Sequence, residues 1–106
     1  MKSISVTELK KMMDDGVDFQ LIDVREAYEF DECNMNGLLL PMSEVINRTD
    51  EIRRDVMVVV HCRSGARSAA VVNALENSTE IQPFNNLYNL EGGIMKWIEV
   101  IDPSLG

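Results

Sequence analysis

The sequence predicts a single α/β domain: a central parallel β-sheet with helices on both faces. Three observations carry that expectation. Asp55–His61 (DVMVVVH) is a short, continuous run rich in β-branched residues and apolar on both faces, which suits a strand covered from both sides. Strand-like and helix-like segments alternate along the chain, as crossover helices between parallel strands require. The 106 residues, 45% of them hydrophobic, suit one core, and no repeat or Pro/Gly-rich linker divides them. The domain is therefore read as residues 1–106, whether alone or as a piece of a longer protein.

Each element has its own signal. Ser5 to Met13 reads as a short helix with Leu9, Met12 and Met13 on one face and Gly16 as its stop. Ser5 with Glu8 supplies the S-x-x-E capping box. Phe19–Val24 is a buried strand ending at Arg25-Glu26, and Ala27–Phe30 is one helical turn. Gly37–Pro41 is a brief strand closed by proline, and Ser43–Asn47 starts a further helix. Asp55–His61 is the clearest strand. Ser68–Glu76 follows as a helix, Leu87–Leu90 as the last strand, Gly92-Gly93 as a turn, and Ile94–Ile101 as the last helix, stopped before Pro103.

Charge and composition exclude several functions. A net charge of −8 and a pI near 4.5 oppose nucleic-acid binding, which needs a basic surface. They equally oppose a polybasic membrane anchor. No apolar run approaches the roughly 20 residues of a membrane span, and MKSISVTELKK lacks a signal peptide's apolar segment, so a cytoplasmic location is expected. In that setting Cys33 and Cys62 read as free thiols. Two cysteines and the single His61, without C-x2-C spacing, make a poor metal site, and no cofactor is implied.

The chemistry concentrates in His61–Ala70 (HCRSGARSAA). Cys62 follows the strongest strand directly, at the carboxyl edge where open α/β sheets bind ligands. Arg63-Ser64-Gly65-Ala66-Arg67 then leads into a helix whose N-terminus carries positive potential. Backbone amides here can converge on one point, with Gly65 allowing the necessary geometry. Helix dipole and both arginines favour thiolate, predicting a Cys62 pKa below the free value of about 8.5. The bland reading is a buried structural cysteine, which two flanking arginines make the weaker one. Phosphatases use C-x5-R, whereas Cys62 to Arg67 is C-x4-R, with Ser68 standing where the longer loop needs arginine. The tighter cradle suits a single persulfide sulfur better than a tetrahedral oxyanion.

These motifs resemble those of a rhodanese-like sulfurtransferase domain along nearly the whole chain. The matching stretches are Leu21–Glu26 (LIDVRE), Cys62–Arg67 with Ser68, and Asn89–Ile94 with Trp97 (NLEGGIMKW). The resemblance implies that Cys62 is the nucleophile, taking sulfur as a persulfide from a small donor such as thiosulfate or from a protein persulfide. It implies that Arg63 and Arg67 bind the anionic donor, with Asp23 and Arg25 supporting the loop from behind. Where many members carry Gly-His, this chain has Glu32–Gly37 (ECNMNG). That departure, with the tail Trp97–Leu105, resembles the C-terminal rhodanese domain of MoeB/ThiF-like adenylyltransferase/sulfurtransferases. The implied partner is a ubiquitin-like sulfur-carrier protein of molybdopterin or thiamine biosynthesis. Two other readings use the same residues: a cysteine phosphatase or arsenate reductase, and a non-catalytic binding module. Cys33 is open between a packed loop residue and a resolving thiol or second sulfur carrier. His61, opposite Cys62 in strand alternation, is expected in a structural or surface role, and Trp97 as packing.

Overall fold

A computed structural model describes residues 1–106. Five strands, β1 (Lys2–Ile4), β2 (Phe19–Asp23), β3 (Leu38–Leu39), β4 (Met57–His61) and β5 (Leu87–Leu90), form one sheet in the order β1-β5-β4-β2-β3. Every pairing is parallel. Four helices complete the fold: α1 (Val6–Asp14), α2 (Ala27–Glu32), α3 (Ala66–Glu76) and α4 (Gly93–Val100). None is long and apolar enough to cross a membrane.

The alternation of β4 divides the core. Val58, Val60 and Cys62 face one side, packed with Ile22, Val24 and the α3 residues Val71, Val72 and Leu75. Val59 faces the other, with Leu9 of α1 and Ile94 and Trp97 of α4. Trp97 thus packs its helix onto the sheet as composition suggested. The capping box at α1 forms: Ser5 Oγ accepts the Glu8 amide at 3.1 Å, and the Ser5 amide donates to Glu8 Oε1 at 3.1 Å.

Three elements differ from expectation. Strand β1 precedes α1, where the sequence reading begins with the helix; with only Ile4 of its three residues buried, it has no alternation to detect. Ser43–Asn47 does not continue as a helix but gives two short 3-10 turns, Val45–Asn47 and Thr49–Glu51. Helix α3 starts two residues earlier than Ser68, at Ala66, which tightens the loop after Cys62.

Outgoing connections diverge at the centre of the sheet. From β2 the chain leaves through α2 towards β3, and from neighbouring β4 it leaves through α3 towards β5. The crevice between those two carboxyl ends is a topological switch point, and it holds Asp23, Arg25 and Cys62.

Candidate active site

Strand β4 delivers Cys62 to the carboxyl edge of the sheet, where the residue is 1% exposed. Its Sγ accepts from the Gly65 amide at 3.1 Å and the Ser68 amide at 3.4 Å, and the Ser68 hydroxyl lies within reach at 3.4 Å. The sulfur thus stands where a side-chain oxygen would normally cap α3. Gly65 takes φ +107°, the left-handed region that lets the loop turn into the helix within four residues. Burial pushes the Cys62 thiol up. Hydrogen bonds from the Ser68 hydroxyl and the Ser68, Gly65 and Ser64 amides outweigh it and hold the thiol below its ordinary value.

The loop is pinned from behind by α4. Its Ile94 amide donates to the Cys62 carbonyl at 2.9 Å, and its Met95 amide to the Arg63 carbonyl at 3.1 Å. Gly93 permits this approach, since a Cβ there would lie 2.5 Å from both carbonyl oxygens, at φ +58°. The Gly-Gly pair is therefore a contact between helix and loop as well as a turn.

The arginines act differently from one another and from expectation. Arg67 does not turn to the sulfur: its guanidinium binds both Glu29 oxygens, at 2.7 and 2.9 Å. Sequence proximity placed a charge near Cys62 but could not reveal a partner 38 residues earlier. Arg67 instead ties α3 to α2, and its hydrogen bonds hold Glu29 down at about 2. Arg63 is exposed, with Nε 3.4 Å from Met95 Sδ. The lowered thiol is thus chiefly the work of amides and Ser68. Ser64 is exposed, and Ala66 opens α3.

Behind the loop, Arg25 and Asp23 form a buried pair. Arg25 Nε and Nη2 reach the Asp23 carboxylate at 2.8 to 3.1 Å, and Nη2 also donates to the Cys33 carbonyl at 2.8 Å. His61 lies in register with Asp23 and is fully buried, which corrects any surface role. Its Nε2 is 3.9 Å from Asp23 Oδ2 and neither ring nitrogen has a hydrogen-bond partner. Burial pushes its pKa down, so the ring is neutral. Cys33 is a half-buried free thiol that ends α2.

Beside the loop opens a groove of about 370 Å³, lined in part by Arg25, Tyr28, Cys33, Arg63, Met95 and Ile98. Tyr28 and Met95 leave much of their surface in solvent, 66% and 51%. Two residues at the site escaped the sequence reading. Ser68 appeared only as a helix start, as the end of the loop motif and as the place where a longer loop would need arginine. Asn89 appeared only within a strand and a motif, and neither had a role at the sulfur. The available signal for Asn89 was a polar side chain in the otherwise apolar LYNL strand.

Comparison with known proteins shows the family and the fold. The family described as "Rhodanese-like domain" matches residues 5–100. A "Sulfurtransferase" of Allochromatium vinosum is 34% identical over 98 residues, covering 92% of this chain and 88% of that protein. "Probable adenylyltransferase/sulfurtransferase MoeZ" of Mycobacterium tuberculosis is 29% identical over 106 residues. That match takes in 97% of this chain but only 26% of MoeZ, so the chain spans about a quarter of that relative's length. Among solved structures, a rhodanese-related protein of Thermoplasma volcanium superposes with a TM-score of 0.80 at 32% identity, covering 93% of this chain and 92% of its own.

Proposed function

The chain belongs to the rhodanese-like family, and from that premise we propose that it is a sulfurtransferase carrying sulfur as a persulfide on Cys62. The observation that carries the reading is the set of three donors, two backbone amides and the Ser68 hydroxyl, converging on one buried sulfur at a helix N-terminus. They lower the cost of a thiolate and leave the sulfur facing the loop amides.

With thiosulfate as donor, the Cys62 thiolate attacks the outer, sulfane sulfur. A new S–S bond forms, the bond between sulfane and sulfonate sulfur breaks, and sulfite leaves with its electron pair. An acceptor thiolate then attacks the outer sulfur of the persulfide. Its S–S bond forms as the Cys62 S–S bond breaks, which regenerates the Cys62 thiolate. Exposed Arg63, at the rim of the groove, is placed to meet an anionic donor. Arg67 sets the loop against α2, while Asp23 and Arg25 brace the crevice from below. No cofactor enters these steps.

The protein acceptor we propose is a ubiquitin-like sulfur-carrier protein, on the strength of the MoeZ relationship and the MoeB/ThiF-like features of the sequence. With it the outer persulfide sulfur attacks the carrier's C-terminal carboxyl, activated as an acyl adenylate, and a C–S bond forms as AMP leaves. A thiol reductant then attacks Cys62 Sγ and displaces the thiocarboxylate. The half-apolar groove that Arg63 lines supports an extended peptide terminus as the approaching group. Phosphate hydrolysis is the weaker reading, because Ser68 stands where its C-x5-R loop needs arginine and the neighbouring Arg67 is bound to Glu29.

Intact-mass spectrometry after exposure to thiosulfate or a persulfide donor tests the proposal. Wild type gains one sulfur, and Cys62→Ala gains none. Equal gain in both, or none in either, removes it. Turnover of a small aryl phosphate would instead favour the phosphatase.

A further inference from the structure

The Ser68 hydroxyl holds a single proton and has three acceptors within reach. Asn89 Oδ1 lies at 2.5 Å, the Gly65 carbonyl at 3.2 Å and Cys62 Sγ at 3.4 Å. A hydroxyl donates once, so these contacts compete. The Gly65 carbonyl already receives the Ala69 amide at 3.1 Å and Asn89 Nδ2 at 3.3 Å. The second bond also fixes the Asn89 amide, because the reversed orientation would set its oxygen against the Gly65 oxygen. Asn89 Oδ1 therefore faces Ser68 and makes the shortest of the three contacts. Ser68 is fully buried and Asn89 nearly so, which leaves the choice of partner to these protein groups.

We infer that Asn89 is a positioning residue that sets the reactivity of Cys62 by competing with its sulfur for the Ser68 proton. The inference rests on Cys62 being the sulfur-carrying nucleophile. In the thiol state Ser68 donates to Asn89, and a lone pair of its oxygen is free to accept the Cys62 S–H. When the thiol gives its proton to solvent, the hydroxyl turns to the negative sulfur and Asn89 Oδ1 loses its partner. When a persulfide forms, the charge moves to the outer sulfur. Cys62 Sγ becomes a weak acceptor, and the proton returns to Asn89. The hydroxyl thus follows the charge on Sγ, and Asn89 sets how much is given up each time it turns.

The test is thiolate absorbance against pH without any sulfur donor, in a Cys33→Ser background so that only Cys62 titrates. Asn89→Leu removes the competing acceptor and lowers the Cys62 midpoint by about half a unit to one unit. Asn89→Asp holds the proton harder and repels the thiolate, raising the midpoint by at least about one unit. In Ser68→Ala the Leu substitution has no further effect, because the contested proton is gone. A folded Asn89→Leu with an unchanged midpoint, or with the same shift in the Ser68→Ala background, overturns the inference. If Asn89→Leu does not fold by circular dichroism, the near-isosteric Asn89→Asp decides: an unchanged or lowered midpoint overturns it. Sulfur uptake by wild type is read separately by mass. Failure there removes the proposed function, whereas failure of the midpoint shifts removes only the role of Asn89.

Discussion

Helices α3 and α4 both start at a glycine in the left-handed region, Gly65 at φ +107° and Gly92 at +77°, with no side chain to cap the first amides. One loop serves both. Its sulfur takes amides at the start of α3, and its Cys62 and Arg63 carbonyls take those of α4. A carbonyl is neutral at every pH, so the α4 contacts fix the backbone and do nothing else. A thiol ionises, so the same kind of donor on the α3 side changes its reactivity. Identical helix chemistry yields a clamp on one side and a thiol with a lowered pKa, the proposed nucleophile, on the other, and the acceptor decides which.

The largest effect comes from breaking the clamp. Gly93→Ala places a methyl 2.5 Å from two carbonyl oxygens in a backbone region unfavourable to alanine. A loss of roughly 3 to 4 kcal/mol is expected from overpacking and strain together, with loss of sulfur uptake. Urea denaturation measures it, and an unchanged midpoint would separate clamp from loop. On the α3 side, Cys62→Ala abolishes sulfur uptake and costs about 1 kcal/mol through the lost cap. Cys62→Ser also abolishes uptake but retains an acceptor for the amides, so it is expected to be the more stable of the two. The reverse order would refute the capping role.

Ser68→Ala sharpens the contrast further. It removes one of the bonds opposing burial, so the Cys62 midpoint moves upward and alkylation at neutral pH slows severalfold. The sign of the linked stability follows: a thiol held down in the folded state stabilises it above the unfolded thiol's pKa, and that contribution is lost as pH falls through the native value. In Ser68→Ala this gain in stability with rising pH shrinks. Thermal unfolding at pH 6 and pH 9 reads the difference. The smallest effect belongs to Glu29→Gln, which loosens the start of α3 by about 1 kcal/mol, since solvent screens the partly exposed Arg67. With Glu29 held at about 2, its contribution is full above the ordinary carboxylate range and is lost as pH falls through that value. Wild type and Glu29→Gln should therefore converge in stability near pH 2.

What the sequence made legible follows from how far each signal reaches along the chain. Met57–His61 and α3 declare themselves through local composition, and Cys62 at their junction follows from order alone. The Ser5–Glu8 cap is equally local. Strand β1 is visible only through its pairing with Leu87–Leu90 at the far end of the chain. The engagement of Arg67 by Glu29 and of Ser68 by Asn89 likewise joins residues 38 and 21 positions apart. Neither residue type nor spacing announces such pairs. The sequence identified the charges and the thiol, while the partition of hydrogen bonds among them required the fold.

The sheet is longest at its centre and shortest at its rims: β4 and β2 run five residues, whereas edge strands β1 and β3 run three and two. So short an edge offers an incoming chain too few unpaired backbone groups to extend the ladder. Strand addition, a common way for one protein to grip the tail of another, is therefore closed to this domain. On the proposed function, a protein acceptor would have to be recognised by side chains around the mouth of the crevice. Tyr28 and Met95, exposed at the groove, are side chains that can be changed one at a time without touching the sheet.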